Sequence, residues 1–283
     1  MRKQLVMALL LLCSTLSFAQ TWNDPHQPRH NNNVRYAAFA TPPKTLDPAR
    51  AYSSGELLFM EQIYEPPLQY DYFKRPYTLV PLVAQAMPEI TYYNQQGHVV
   101  STSSNSSDIA YTVYTIHIKP NVYYQQHPAF AKTARGQWRY RQLSQAQIES
   151  KRSLDDFTYT STRELTADDY IYEIKRLADP RLNSPIYGLM SKYIQGLNDL
   201  ASTLKKAELQ ASKDKQSFID LRKYSLSGVK KVDRYTYQIT LKGVYPQFTY
   251  WLAMPFFAPI PWEADAFYSQ AGMSENNIGF DWY

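Results

Sequence analysis

The residues able to perform acid–base, nucleophilic or metal chemistry are scattered along this sequence. Its five histidines form no cluster with the spacing of metal ligands. His26 and His30 are four residues apart, which suits one face of a helix, but Pro25 and Pro28 disfavour a helix there. The sequence contains no G-x-S-x-G elbow, no H-E-x-x-H motif and no phosphate-binding loop. We therefore predict no catalytic residue, no metal site and no cofactor.

Two pairs of adjacent acidic residues are also poor candidates for catalysis. Asp155 is followed by Asp156, and Asp168 by Asp169. Neighbouring side chains on a helix or strand point in different directions and do not converge on one substrate. Asp168 and Asp169 follow Thr166, so we interpret them as first-turn acids of a helix that Thr166 caps. Their predicted role is structural.

Tyrosine is unusually frequent, at 25 of 283 residues. One interpretation is a mixture of core and surface positions, since tyrosine is amphipathic. The other is a binding cleft rich in side chains that both stack and form hydrogen bonds. The sequence leaves both interpretations open.

The N-terminus has the pattern of a secretory signal peptide. Arg2-Lys3 gives the charged start, and residues 5–12 form an apolar run that is too short to span a membrane. Ala19 ends an A-x-A-like cleavage site. We predict a signal peptide over residues 1–19, cleaved after Ala19, and export of a soluble protein to the periplasm. Residues 20–33 are polar and are expected to form a flexible mature N-terminus.

Cysteine and charge exclude several further classes of protein. Cys13 is the only cysteine, so the mature chain would have no thiol for a disulfide, a nucleophile or a metal. In a lipoprotein Cys13 would carry the lipid, but Leu12 stands where a small residue is expected. The net charge of +5 falls to +3 when Arg2 and Lys3 are removed, and the basic residues are spread along the chain. A nucleic-acid partner is therefore not indicated.

A strand and a capped helix are predicted after the mature N-terminus. Residues 34–40 have the length and composition of a strand, which Pro42 ends. Ser53 and Glu56 form a capping box that starts a helix, and Pro66 ends it. The predicted apolar stripe of this helix consists of Leu57, Met60, Ile63 and Tyr64.

Later segments alternate between strand and helix patterns. Residues 110–118 have a period of two, and residues 229–241 predict either a strand pair or one strand after a bend. Residues 166–179 predict a helix, and Ser184 with Pro185 predicts the start of another. The predicted buried stripe of the first helix is Tyr170, Ile174 and Leu177. Other apolar faces carry Tyr114, Ile116 and Ile118 on the first strand, Leu197, Leu200 and Leu204 as a helical stripe, and Tyr235, Tyr237, Ile239 and Leu241 in alternation with polar residues.

Two of these segments resemble a known protein family. The first contains TLDPA at residues 45–49, a helix ending in QIYEPPLQYD at residues 62–71, and then LVPLVAQAMPE. The second is LTADDYIYEIKRLADP at residues 165–180. Together they resemble the family 5 extracellular solute-binding proteins, which are the oligopeptide- and dipeptide-binding components of bacterial ABC importers.

The resemblance covers roughly residues 34–122 and 164–270 and implies a fold. The expected fold is α/β, of the periplasmic-binding-protein-like class II peptide-binding type, with a mixed sheet flanked by helices. Residues 34–70 and 165–283 are expected to form part of lobe I, and residues 71–164 a small extra domain. Because a second lobe follows in the family, we expect this chain to be an incomplete N-terminal part.

Residues 123–164 have no counterpart in the family pattern. They include a basic and aromatic patch, RGQWRYR, at residues 135–141. One interpretation is an excursion on the surface of the lobe. The other is an added binding surface, because arginine and aromatic residues are enriched at contact patches. The sequence does not decide between them.

The resemblance also implies a function without catalysis. The protein would bury an oligopeptide or dipeptide between two lobes that close on a hinge, and would deliver it as a monomer to permease subunits in the inner membrane. We expect ligand contacts at Tyr52, Ser53 and Ser54, with Ser53 alternatively serving only as a helix cap, and at Met254 and Phe256. The alternatives are a cell-envelope hydrolase, or a ligand-sensing or chaperone-like envelope protein on the same scaffold.

Overall fold

Helices and strands alternate along the chain in the computed structural model, which describes residues 41–101, 105–213, 218–276 and 278–279. The helices are α1 (Ser54–Ile63), α2 (Gln145–Glu149), α3 (Ala167–Arg176), α4 (Tyr187–Tyr193), α5 (Leu197–Lys213), α6 (Phe248–Trp251) and α7 (Trp262–Tyr268). The strands are β1 (Leu68–Tyr70), β2 (Leu79–Pro81), β3 (Glu89–Tyr93), β4 (Val99–Val100), β5 (Tyr111–His117), β6 (Val229–Lys231) and β7 (Thr236–Lys242). This mixed α/β architecture confirms the predicted fold class.

Several predictions fall on residues that the structure does not describe. The signal peptide at residues 1–19, the polar segment at residues 20–33 and the strand at residues 34–40 all lie outside the described part. Within the described ranges, no helix is both long and apolar enough to cross a membrane.

The strands form two sheets. β1 and β2 make an antiparallel hairpin, and the other strands form a five-stranded sheet in the order β4-β3-β5-β7-β6. At its centre β5 and β7 pair antiparallel along their whole length, from Tyr111 opposite Lys242 to His117 opposite Thr236. β6 pairs with β7, so the strand pair predicted within residues 229–241 is present. The predicted extra domain contributes β3, β4 and β5 to this sheet, and the predicted lobe contributes β6 and β7. The two predicted units therefore share one sheet.

The main core lies on one face of the five-stranded sheet. The alternation predicted for β5 is confirmed, because Tyr114 and Ile116 are buried. On β7, Tyr237 and Ile239 are buried on the same face, and the ring of Tyr170 from α3 stacks on Tyr237 at 5.3 Å between centroids. The predicted helix stripes are buried as well, namely Tyr170, Ile174 and Leu177 on α3 and Leu197, Leu200 and Leu204 on α5.

Local capping signals explain where α1, α2 and α3 begin. Asp169 accepts a hydrogen bond from the Thr166 backbone N–H at 2.9 Å, which completes the predicted cap of α3. Ser184 is a correction, because α4 begins at Tyr187 and Ser184 provides only a turn carbonyl to the Tyr187 N–H. The reason is that the Ser184 carbonyl closes a separate i→i+3 turn with Tyr187, whereas the first i→i+4 hydrogen bond of α4 runs from the Met190 N–H to the Ile186 carbonyl. Ile63 on α1 is also exposed rather than part of a buried stripe.

A buried ion pair joins the two motifs that carry the family resemblance. Arg176, at the end of α3, donates to both carboxylate oxygens of Asp47 in the TLDPA motif, at 2.9 and 2.7 Å. Arg176 also donates to Glu173 at 2.9 Å, and only 1% of its side chain is exposed. Asp47 in turn accepts the backbone N–H of Ala49. The loop that leads to α1 is therefore anchored on α3.

Residues 123–164 pack against α7 around a second hydrophobic cluster. Ile148 and Phe157 from this segment are buried with Phe267 and Tyr268 from α7. His127 also enters this cluster, where its Nδ1 accepts the Ala129 N–H and its Nε2 donates to the Tyr268 hydroxyl at 2.8 Å. The segment is therefore a packed layer with a core of its own.

Candidate ligand-binding site

Glu56 fixes the loop that precedes α1. Its Oε2 accepts the backbone N–H groups of Tyr52 and Ser53, both at 2.9 Å, and its Oε1 accepts that of Lys44 at 3.1 Å. The Ser53 hydroxyl accepts the Glu56 N–H at 3.2 Å, which confirms the predicted capping box. Burial works to raise the pKa of Glu56, but the hydrogen bonds from Ser53, Tyr52 and Lys44 hold that pKa below its usual value. Ser53 is thus occupied as a helix cap.

A hollow of about 350 Å³ brings four of the five predicted contact residues together. Tyr52 and Ser54 form one side, and Met254 and Phe256 form the other. The rings of Tyr52 and Phe256 are 6.2 Å apart between centroids. Ser53 does not line this hollow. The predicted residues thus come from two segments far apart in sequence that meet at one place.

Within this hollow the two aromatic residues differ in accessibility. Tyr52 is 67% exposed, whereas Phe256 is 3% exposed and belongs to the main core. Phe256 lies in a 3-10 turn, Pro255–Phe257, and its ring is 6.3 Å from that of Trp251. Phe256 can therefore form the floor of a site, and Tyr52 is the side chain free to stack on a ligand.

A larger hollow of about 910 Å³ lies beside the first and shares Pro255 with it. Its walls carry Tyr70 on β1, Tyr77 in the hairpin loop and Tyr250 on α6. Tyr70 lies 6.0 Å from Tyr77 and 6.4 Å from Tyr250 between ring centroids. These three rings are 42–67% exposed, so they form a wall that solvent reaches, which we call the tyrosine wall.

Sequence analysis did not single out this tyrosine wall. The signal that could have found it is the hairpin turn DYFKRPY at residues 71–77, which places Tyr72, Phe73 and Tyr77 in a loop where burial is unlikely to be complete. Tyr72 and Phe73 are indeed 81% and 89% exposed. Part of the tyrosine excess therefore lines an open surface, whereas Tyr114, Tyr170 and Tyr237 are buried in the core.

The residues that line the two hollows can hold a ligand by stacking and by hydrogen bonds. Their described lining contains ring faces, hydroxyl groups and carboxylates, with Arg75 at the rim, and it contains no histidine, cysteine or lysine. The described residues also include no group of three acidic, histidine or cysteine side chains placed to hold a metal ion. Aromatic walls with a few polar groups suit a ligand that stacks and forms hydrogen bonds.

Comparison with family models finds no match, and neither does comparison with curated proteins. Among solved structures, OppA of Listeria monocytogenes bound to peptide is 19% identical, and the match covers 79% of this chain and 30% of that one with a TM-score of 0.44. The pheromone receptor PrgZ is 19% identical over 86% of this chain and 34% of its own, with a TM-score of 0.49.

The murein tripeptide binding protein MppA of Escherichia coli is 18% identical over 84% of this chain and 33% of its own, with a TM-score of 0.46. The chain thus spans about a third of the length of the solved structures it matches.

Proposed function

We propose that this chain is part of a solute-binding protein that takes up oligopeptides or dipeptides for an ABC importer. The observation that carries the proposal is the hollow lined by Tyr52, Ser54, Met254 and Phe256. The resemblance pointed to these residues from two separate segments, and they meet around one accessible tyrosine ring. The ligand is bound and passed on without chemical change.

The peptide class is supported by the shape and lining of the two adjoining hollows. An extended peptide presents a main chain that forms hydrogen bonds and side chains that project alternately to either side. Tyr52 and the tyrosine wall at Tyr70, Tyr77 and Tyr250 offer stacking surfaces for such side chains. Open aromatic walls accept side chains of many shapes, because stacking demands little chemical complementarity.

The remaining parts of the proposal follow from the family resemblance. The protein is exported through the signal peptide at residues 1–19, acts as a monomer in the periplasm and delivers its ligand to permease subunits in the inner membrane. Residues 34–70 and 165–283 contribute to the first ligand-gripping lobe, and residues 71–164 are the small additional domain of that lobe.

The experiment that tests this proposal is calorimetric titration of the exported protein with a mixture of short peptides. Tyr52→Ala should weaken peptide binding by about tenfold, because it removes the accessible stacking ring of the site. Tyr123→Ala is the matched control, since Tyr123 is 60% exposed and lines neither hollow. Equal peptide affinity of the Tyr52→Ala and unaltered proteins would refute the assigned site. Hydrolysed peptide in the calorimeter cell would favour the enzyme alternative.

A further inference from the structure

The basic and aromatic patch at residues 135–141 is built into the protein rather than spread on its surface. Trp138 and Arg141 are half-buried against Trp262, the first residue of α7. The rings of Trp138 and Trp262 meet edge to face, with centroids 5.5 Å apart and planes at 90°. We refer to the group formed by Trp138, Arg141, Trp262 and Arg222 as the arginine–tryptophan site.

Two guanidinium groups make cation–π contacts with the ring of Trp262. The Cζ atom of Arg222 lies 3.3 Å from the ring centroid, and that of Arg141 lies 4.0 Å from it. Two guanidinium groups this close to one centroid would overlap on the same face, so they occupy opposite faces, roughly 7 Å apart across the ring. The ring of Trp262 therefore holds two positive charges close together.

The hydrogen-bonding capacity of these two arginines is only partly used. Arg222 donates its Nε–H and one Nη2–H to the carboxylate of Asp220, at 2.8 and 2.7 Å. Arg141 donates no hydrogen bond to any described residue, although its guanidinium carries five N–H groups. Burial, and then the neighbouring charge of Arg222, lower the pKa of Arg141. Such a guanidinium gains most from an added anion.

Both arginines line a hollow of about 570 Å³. Among the residues that the structure describes, its charged lining consists of Arg141, Arg222 and Lys223 with the carboxylate of Asp220, which leaves two positive charges in excess there. Gln142 adds an amide group on the same wall, which can donate further hydrogen bonds. The carboxylate of Glu263, whose charge also acts on Arg141, is held by two hydrogen bonds from Arg163.

We propose that the arginine–tryptophan site binds a phosphate monoester group. A phosphate monoester carries a charge between about −1.5 and −2 at pH 7, which balances the excess positive charge of the hollow. Arginine pairs with phosphate through two parallel hydrogen bonds, and two stacked arginines roughly 7 Å apart can hold one phosphate between their edges. This site is separate from the peptide hollow and does not rest on the proposed function.

The test is calorimetric titration of the purified protein with inorganic phosphate at low ionic strength. We expect saturable binding that Arg141→Gln weakens at least tenfold and Lys223→Gln weakens about threefold. Arg135→Gln is the matched control, because Arg135 belongs to the same patch but is exposed and lines no part of the hollow. It should change affinity by less than twofold. Lys223 is exposed, so its variant keeps the test valid even where Arg141→Gln disturbs packing.

A second titration distinguishes a soluble phosphate from a lipid headgroup. Phosphatidylcholine vesicles with phosphatidic acid, whose headgroup is a phosphate monoester, are compared with vesicles that carry phosphatidylglycerol instead. Binding of either inorganic phosphate or phosphatidic acid vesicles, lost on Arg141→Gln, supports the site and names its source. The proposal is overturned by absence of both kinds of binding, by equal binding to both vesicle types in a protein that does not bind inorganic phosphate, or by an equal loss in Arg135→Gln.

Discussion

Replacing Arg176 with methionine tests whether the buried ion pair to Asp47 organises the fold. Arg176 is 1% exposed and Asp47 is 3% exposed, and the closest contact between them is 2.7 Å. Removing one partner of such a pair leaves a buried carboxylate without its counter-ion, which costs about 3–5 kcal/mol. For a chain of this size the midpoint of thermal unfolding should fall by roughly 6–20 °C.

The matched control is the same substitution in an exposed ion pair. Lys231 contacts Asp168 at 2.5 Å, but the two side chains are 44% and 59% exposed. Water screens this pair and solvates either partner alone, so Lys231→Met should cost only about 0–1 kcal/mol. The difference between the two variants isolates the effect of burial from the effect of losing a positive charge.

The pH dependence of the Arg176→Met variant provides an independent check. Burial raises the pKa of Glu173 and of Asp265, and the charge of Arg176 partly opposes both shifts. Without Arg176 these pKa values rise further, so the native state binds more protons than the unfolded state. An acid whose native pKa is raised contributes stability at low pH and loses it as the pH rises. The loss in free energy of unfolding of the Arg176→Met variant, relative to the unaltered protein, should therefore be smaller near pH 5 than near pH 8.

The assay is urea unfolding followed by circular dichroism, with the free energy of unfolding compared among the unaltered protein, Arg176→Met and Lys231→Met. A deficit below about 1 kcal/mol for Arg176→Met, equal to that of the control, would refute the structural role of the pair. A deficit that grows toward low pH would refute the charge argument.

Three further predictions concern other sites. Burial lowers the pKa of His127 from 6.5 to about 4. The native state therefore favours the neutral ring, and the free energy of unfolding falls as the pH drops from 6.5 toward 4. Between pH 7 and pH 5, measured by urea unfolding, the His127→Gln variant should lose about 2 kcal/mol less stability than the unaltered protein. Ser53→Ala should cost about 1 kcal/mol in the free energy of unfolding without changing peptide affinity, whereas Ser54→Ala should cost less, and a large affinity loss in Ser53→Ala would contradict the capping role. Gly228→Ala should destabilise by several kcal/mol in thermal unfolding, because its Cβ would lie 2.3 Å from the Gln195 carbonyl oxygen, while Gly188→Ala meets open space in α4 and should be neutral or stabilising.

Features set by neighbours in sequence could be predicted from the sequence. The Ser53–Glu56 and Thr166–Asp169 capping boxes connect residues three apart, and the alternation of β5 and β7 is a property of each strand alone. Ser184 shows the limit of such local rules. A serine followed by proline predicts a helix start, but Ser184 closes a separate turn with Tyr187 and the helix begins only at Tyr187.

Features set by long-range contacts could not be predicted. Asp47 and Arg176 are 129 residues apart, so the pattern of each motif gave no sign that they pair. The tyrosine wall depends on α6 lying beside the β1–β2 hairpin, which places Tyr250 against Tyr70. Tyr52 and Phe256 were identified from two separate family motifs, and only the fold shows that they face the same hollow. The sequence thus indicated residues that line one hollow but not how they are brought together.

The most direct test of the central claim is native mass spectrometry of the protein as its own cells export it, with no ligand added. If peptide binds in the hollow at Tyr52, the exported protein should carry small adducts whose fragments read as peptides. The Tyr52→Ala variant should carry fewer of them than the Tyr123→Ala variant. Protein that carries no adduct even after incubation with peptides, or adducts retained in full by Tyr52→Ala, would contradict that claim.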